Sequence, residues 1–104
     1  MSEKRYKLSI LPLFEEDLNE IVDYIARRLK NPLAAEKLVD DVEEAIRERL
    51  TCAESFEPYP STKERALPYY KIHVKNFTVF YVVIGDTMEV RRILYSRRDL
   101  KQHI

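Results

Sequence analysis

From Leu13 onward the apolar positions recur at steps of three and four. Phe14, Leu18, Ile21, Val22, Ile25 and Leu29 therefore share one face of a predicted helix. Glu15, Glu16 and Asp17 fall in its first turn, and Arg27, Arg28 and Lys30 in its last, so each sign complements the nearer end of the helix dipole. Asn31-Pro32 reads as an N-cap followed by proline at the first helical position, which starts a second helix almost at once. That helix places Ala35, Leu38, Val39, Val42, Ala45, Ile46 and Leu50 on one face and the acids Asp40, Asp41, Glu43, Glu44 and Glu48 on the other. Two helices joined by about two residues run antiparallel as a hairpin.

Elsewhere the period drops to two. Residues 6–11 alternate as a short strand that Pro12 ends. Residues 53–65, with Pro58, Pro60, Ser55, Ser61 and Thr62, read as an ordered loop. Three strands follow, at residues 67–75, 77–84 and 88–95. The middle one is apolar at almost every position, as expected of a central strand covered on both faces. Gly85-Asp86 supplies a two-residue hairpin turn with glycine first, the preference of a type II′ turn. The element order is β-α-α-β-β-β.

The last strand contains an irregularity. By alternation, Met88, Val90, Arg92 and Leu94 point one way, and Glu89, Arg91, Ile93 and Tyr95 the other. Either choice sets an arginine among apolar residues, where it needs a partner. Two outcomes fit: an ion pair with a helix carboxylate such as Asp17, or a role in binding.

Composition narrows the classes. The 104 residues suit one domain, residues 1–104, with ordinary proportions of 45% hydrophobic and 35% charged residues. A single glycine, Gly85, excludes Gly-rich phosphate loops and dinucleotide fingerprints. The lone Cys52 forms no internal disulfide and reads as a packing residue; no Cys–His cluster suggests a metal, and no cofactor is expected. The absence of a membrane-length apolar run or a signal-peptide core points to a cytoplasmic chain. Net charge is zero, which argues against a uniformly basic nucleic-acid binder, but the sum hides a dipole. Residues 1–61 hold nine basic and fourteen acidic side chains; residues 62–104 hold nine and four.

The order of elements joins three sequence features: Asp17-Leu18-x-x-Ile21-x-x-Tyr24-Ile25, the run from Tyr69-Tyr70-Lys71-Ile72 through Asn76-Phe77 to Tyr81, and the ending Arg92-Ile93-Leu94-Tyr95-Ser96-Arg97-Arg98-Asp99. Together they resemble the RelE/ParE toxins of bacterial type II toxin–antitoxin pairs, and the ending is similar to the closing signature of the ParE-like, plasmid-stabilisation branch. The resemblance covers nearly the whole chain. It implies an α+β fold with a helical hairpin packed on a small, mostly antiparallel sheet. It also implies a growth-arresting toxin neutralised by a cognate antitoxin, an extended segment of which wraps the hairpin and sheet.

Activity divides the family. RelE-like members cut mRNA in the ribosome, which requires charge stabilisation at phosphate and proton transfer at both oxygens. This chain departs from that pattern: Tyr70 and Thr78 stand where those members commonly carry arginine, and Lys101 stands where a tyrosine is expected. Tyr95 replaces the histidine of the ParE-type signature, while Arg97 and Arg98 match it. The resemblance therefore favours a toxin that binds DNA gyrase without catalysis. The alternative is a ribosome-dependent mRNA endoribonuclease, and a third reading is a degenerate, non-toxic binding protein. Candidate site residues are Arg92, Tyr95, Arg97 and Arg98, with Lys71 and His73 behind them. Lys71, His73 and Lys75 would share one strand face, and Arg91, Tyr95 and Arg97 another. His103 near the terminus carries no expected role.

Overall fold

The computed structural model describes residues 5–56, 58 and 67–96. Strand β1 (Lys7–Ile10) leads into helix α1 (Pro12–Asp23), which widens into a π-helical turn at Tyr24–Arg28. Helix α2 (Pro32–Arg49) returns, and strands β2 (Tyr70–Val74), β3 (Phe77–Ile84) and β4 (Thr87–Tyr95) follow. Pro12, expected to end the first strand, also opens the helix, where its missing N–H is no loss.

The sheet order is β1-β4-β3-β2, with β1 parallel to β4 and the other pairs antiparallel. This is the expected hairpin on a small, mostly antiparallel sheet. Gly85, at φ +62°, starts the β3–β4 turn. Lys75 occupies the equivalent place in the β2–β3 turn at φ +54°, a left-handed backbone that a side chain adopts at a cost.

Between the helices, Leu29 N–H reaches the carbonyl of Tyr24 at 3.1 Å and Asn31 N–H that of Ile25 at 3.1 Å, closing the wide turn. Lys30, at φ +52°, reverses the chain there. The Asn31 side chain accepts from Ala34 N–H at 3.1 Å, so the predicted cap forms. Leu29, expected on the core face, is instead 56% exposed. It is the C-cap residue at the hairpin tip, where α2 has barely begun.

Phe14, Leu38, Val42 and Ile46 pack onto Tyr70, Ile72, Val79, Tyr81, Met88, Val90 and Ile93 to form the main core. The opposite face carries a smaller cluster of Tyr69, Phe80, Val82 and Leu94. β3 is thus covered on both faces, as its nearly continuous apolar run predicts. Helix α1 and the π turn are less well covered: Phe14 alone is buried, while Leu18, Ile21, Val22 and Ile25 are only half-buried.

The simple alternation expected in β4 does not hold. Phe80 pairs with Arg92 and Tyr81 with Val90, which leaves Arg91 without a partner on β3. This β-bulge inverts the side-chain sense beyond it. Ile93 consequently joins Met88 and Val90 in the main core, and Leu94 falls on the far side.

Candidate functional site on the last strand and the far sheet face

Strand β1 accompanies β4 only from Thr87 to Val90. Past that point a carboxylate from α1 takes the place of the missing neighbour. Asp17 Oδ2 accepts from the backbone N–H of Ile93 at 3.2 Å and from Arg92 Nε at 2.7 Å, and Asp17 Oδ1 accepts from Arg92 Nη2 at 2.9 Å. The two side chains are 11% and 22% exposed. The bidentate hydrogen bond to Asp17 raises the guanidinium pKa, outweighing the opposing effect of burial. Arg92 is therefore engaged in joining helix to strand.

Arg91 donates from Nε to Glu89 Oε2 at 2.8 Å, and its guanidinium carbon lies 5.9 Å from the centroid of the Tyr69 ring. Burial lowers its pKa, but hydrogen bonds with Tyr69 and Glu89 more than compensate, so the net direction is upward. Both arginines of β4 are matched to carboxylates.

On the face away from the helices, Thr78 is fully buried beneath a short polar chain. His73 Nδ1 lies 3.4 Å from Thr78 Oγ1, which lies 2.8 Å from Ser96 Oγ. Lys71 precedes His73 by two positions on β2 and shares this face. Two expected groupings fail. Lys75 sits in the turn, with Nζ 3.4 Å from Asp41 of α2, so it leaves Lys71 and His73 for the helix side. Tyr95 packs edge-on against Phe77 at 5.7 Å between centroids, on the core side of the sheet, because the bulge separates it from the face of Arg91. Tyr70, at the position of a commonly expected arginine, stacks on Tyr81 at 5.3 Å in the core. Arg97, Arg98, Lys101 and His103 lie outside the described residues.

Pattern reading missed a polar knot at the end of α2. Arg49 Nη1 donates to Tyr81 Oη at 3.0 Å and to the Lys71 carbonyl at 3.3 Å, and its guanidinium stacks 3.6 Å from the Phe56 ring centroid. Tyr81 is fully buried and donates to the Ala53 carbonyl at 2.7 Å. Burial pushes its phenol upward, while the hydrogen bond from Arg49 pulls in the opposite direction. Tyr6 donates to Glu54 at 2.6 Å; that hydrogen bond, with burial behind it, raises the Tyr6 pKa to about 12. The one legible hint was an apolar strand carrying a tyrosine at its centre, since a buried phenol needs a partner. Cys52 beside this knot is half-buried, with Sγ 3.9 Å from the Glu48 carbonyl.

Among the described residues, no three of His, Cys, Asp or Glu converge as metal ligands, and no helix is long and apolar enough to cross a membrane.

A helical hairpin on a β1-β4-β3-β2 sheet defines the RelE/ParE fold class. Solved structures with this fold include the chromosomal ParDE toxin–antitoxin system from P. aeruginosa, at 22% identity and TM-score 0.71, covering 88% of this chain and 97% of that one. The RelB-RelE antitoxin–toxin complex from Methanococcus jannaschii matches at 22% identity and TM-score 0.50, covering 92% and 98%. The solution structure of HP0894 from Helicobacter pylori matches at 17% identity and TM-score 0.51, covering 86% and 93%. Among curated proteins none matches. Residues 8–100 match the family described as the ParE toxin of type II toxin–antitoxin systems, parDE, and the chain belongs to that family.

Proposed function

We propose that this toxin acts by binding DNA gyrase and is neutralised by a cognate antitoxin, with no catalytic step of its own. The observation that carries this is the state of the β4 arginines. A ribonuclease site needs guanidinium groups available to a phosphate in flight. Here Arg91 is held by Glu89 and Arg92 by Asp17, at 2.8 and 2.7 Å. The missing arginines at Tyr70 and Thr78 support the same conclusion, since one stacks in the core and the other is fully buried.

The antitoxin surface is the under-covered side of α1 together with β1. Leu18, Ile21, Val22 and Ile25 are half-buried, while Leu8 and Ile10 on the edge strand are 44% and 39% exposed. An apolar segment laid along them would complete the core that the chain leaves open, and an extended one would pair with the free edge of β1.

One feature favours the alternative, a ribosome-dependent mRNA endoribonuclease: the His73–Thr78–Ser96 chain beside Lys71 supplies a proton acceptor next to a cation on one sheet face. Purified protein separates the two. Inhibition of gyrase supercoiling with intact mRNA in a ribosome assay supports the proposal; mRNA cleavage with unimpaired supercoiling rejects it in favour of His73 chemistry.

A further inference from the structure

The tip of the helical hairpin is built differently from the rest of the helical layer. Tyr24, Leu29 and Leu33 are 52%, 56% and 76% exposed, although all three are large apolar or aromatic side chains. Arg28 and Lys30 lie among them. Arg27 is paired with Asp23 at 2.9 Å, whereas among the described residues neither Arg28 nor Lys30 has a carboxylate within ion-pair distance. The outer face of α2 is acidic in balance, exposing Glu36, Asp40, Glu43, Glu44 and Glu48 against Lys37 and Arg47.

The backbone of the tip is also fixed. The π-helical turn, the left-handed Lys30 and the Asn31 cap each pin it by a hydrogen bond or a constrained φ. Left-handed lysine is uphill, and π turns are rare and frequently found at functional sites. Three apolar side chains projecting from a rigid frame lose little freedom on docking, which is what makes an anchor effective.

We propose that this tip is the surface with which the toxin docks onto its target protein, and that the target offers an apolar groove rimmed by carboxylates. Leu29 and Leu33 fill the groove, Tyr24 closes it, and Arg28 and Lys30 meet the acidic rim. Charge complementarity selects this occupant. A phosphate backbone would satisfy the two cations and leave three apolar side chains wet; an acidic groove satisfies both. The surface continues the α1 face proposed for the antitoxin, which reaches Ile25 in the same turn, but its anchors are the more exposed Tyr24, Leu29 and Leu33. This inference rests on the gyrase-directed function proposed above.

The test uses the full chain and purified gyrase, with supercoiling inhibition and direct binding as readouts. The variants are Leu29→Glu/Leu33→Glu, Arg28→Glu/Lys30→Glu and Leu33→Gln alone, the last at a position so exposed that folding is safe. Thermal melts confirm that each variant is folded. The expected result is an inhibitory concentration raised about tenfold or more by the leucine pair. The cation pair gives a smaller loss that fades as salt rises, and Leu33→Gln a measurable one. Folded variants that inhibit like the parent overturn the tip assignment and leave gyrase targeting intact. A parent chain that does not inhibit gyrase removes the underlying function and this inference with it. Sedimentation with vesicles of phosphatidylglycerol and phosphatidylcholine, abolished by the same variants, would assign the tip to a lipid surface and overturn the protein groove. A concentration-dependent dimer abolished by them would do the same in favour of a second copy.

Discussion

Replacing Asp17 by alanine removes three hydrogen bonds at once, two from Arg92 and one from the Ile93 N–H. It also takes the carboxylate away from a guanidinium that is only 22% exposed. Breaking a fully buried ion pair by deleting one partner costs about 3–5 kcal/mol, while exposed pairs are worth about 1 kcal/mol or less. Asp17 is 11% exposed, nearer the first limit, and the solvent reaching Arg92 reduces the charge penalty. The expected loss is therefore about 3 kcal/mol for Asp17→Ala. Asp17→Asn keeps an acceptor for Ile93 and should lose about half as much. At roughly 4–8 °C per kcal/mol for a domain this size, Asp17→Ala lowers the melting temperature by about 12–24 °C. Urea unfolding followed by circular dichroism measures it, and a double-mutant cycle with Arg92→Ala isolates the coupling. A loss below about 0.5 kcal/mol would refute the view that this carboxylate substitutes for a strand neighbour, and would release Arg92 for another role. The charge-swapped pair Asp17→Arg/Arg92→Asp then tests function. Toxicity that returns together with stability places Arg92 outside the target contact.

Three further outcomes follow from individual residues. Lys75→Gly relieves a left-handed backbone at the cost of an exposed pair with Asp41, so stability should rise by about 0.5–1 kcal/mol; a fall in melting temperature would show the turn is unstrained. Asn31→Ala removes the α2 cap and should cost about 1 kcal/mol in urea unfolding. Tyr6 has its pKa raised to about 12, above the ordinary value near 10, so its contribution is complete below about pH 10. It declines as pH rises through the folded value. Tyr6→Phe should flatten alkaline denaturation over that window, and identical alkaline profiles for parent and variant would discount the Glu54 hydrogen bond.

Hydrophobic period and turn chemistry carry most of the fold because they act locally. The two helical faces, the Asn31 cap, the glycine-led turn and the doubly covered β3 all follow from residues within a few positions of one another. What escaped the pattern is what depends on distant geometry. A bulge adds one residue to one strand without altering composition, so simple alternation misplaces Ile93 and Tyr95 beyond Arg91. The wide turn at Tyr24–Arg28 is similarly silent, and it leaves Leu29 at the tip. At the candidate site, the awkward arginine of β4 was visible, as was Asp17 as its possible partner; that β1 stops short and leaves room for the carboxylate was not. Nothing in the pattern singles out Arg49, and only the contact with Tyr81 ties it to the core.

The charge dipole noted in the sequence takes a more particular form in three dimensions. The acids of α2 face outward, the β4 arginines are matched to Glu89 and Asp17, and Arg28 and Lys30 at the hairpin tip have no carboxylate in reach among the described residues.

The most direct test of the account is a supercoiling assay with purified protein and DNA gyrase, run beside a ribosome-programmed mRNA cleavage assay on the same preparation. The account predicts that supercoiling is inhibited, that added antitoxin restores it, and that mRNA stays intact. Cleaved mRNA with normal supercoiling would contradict it.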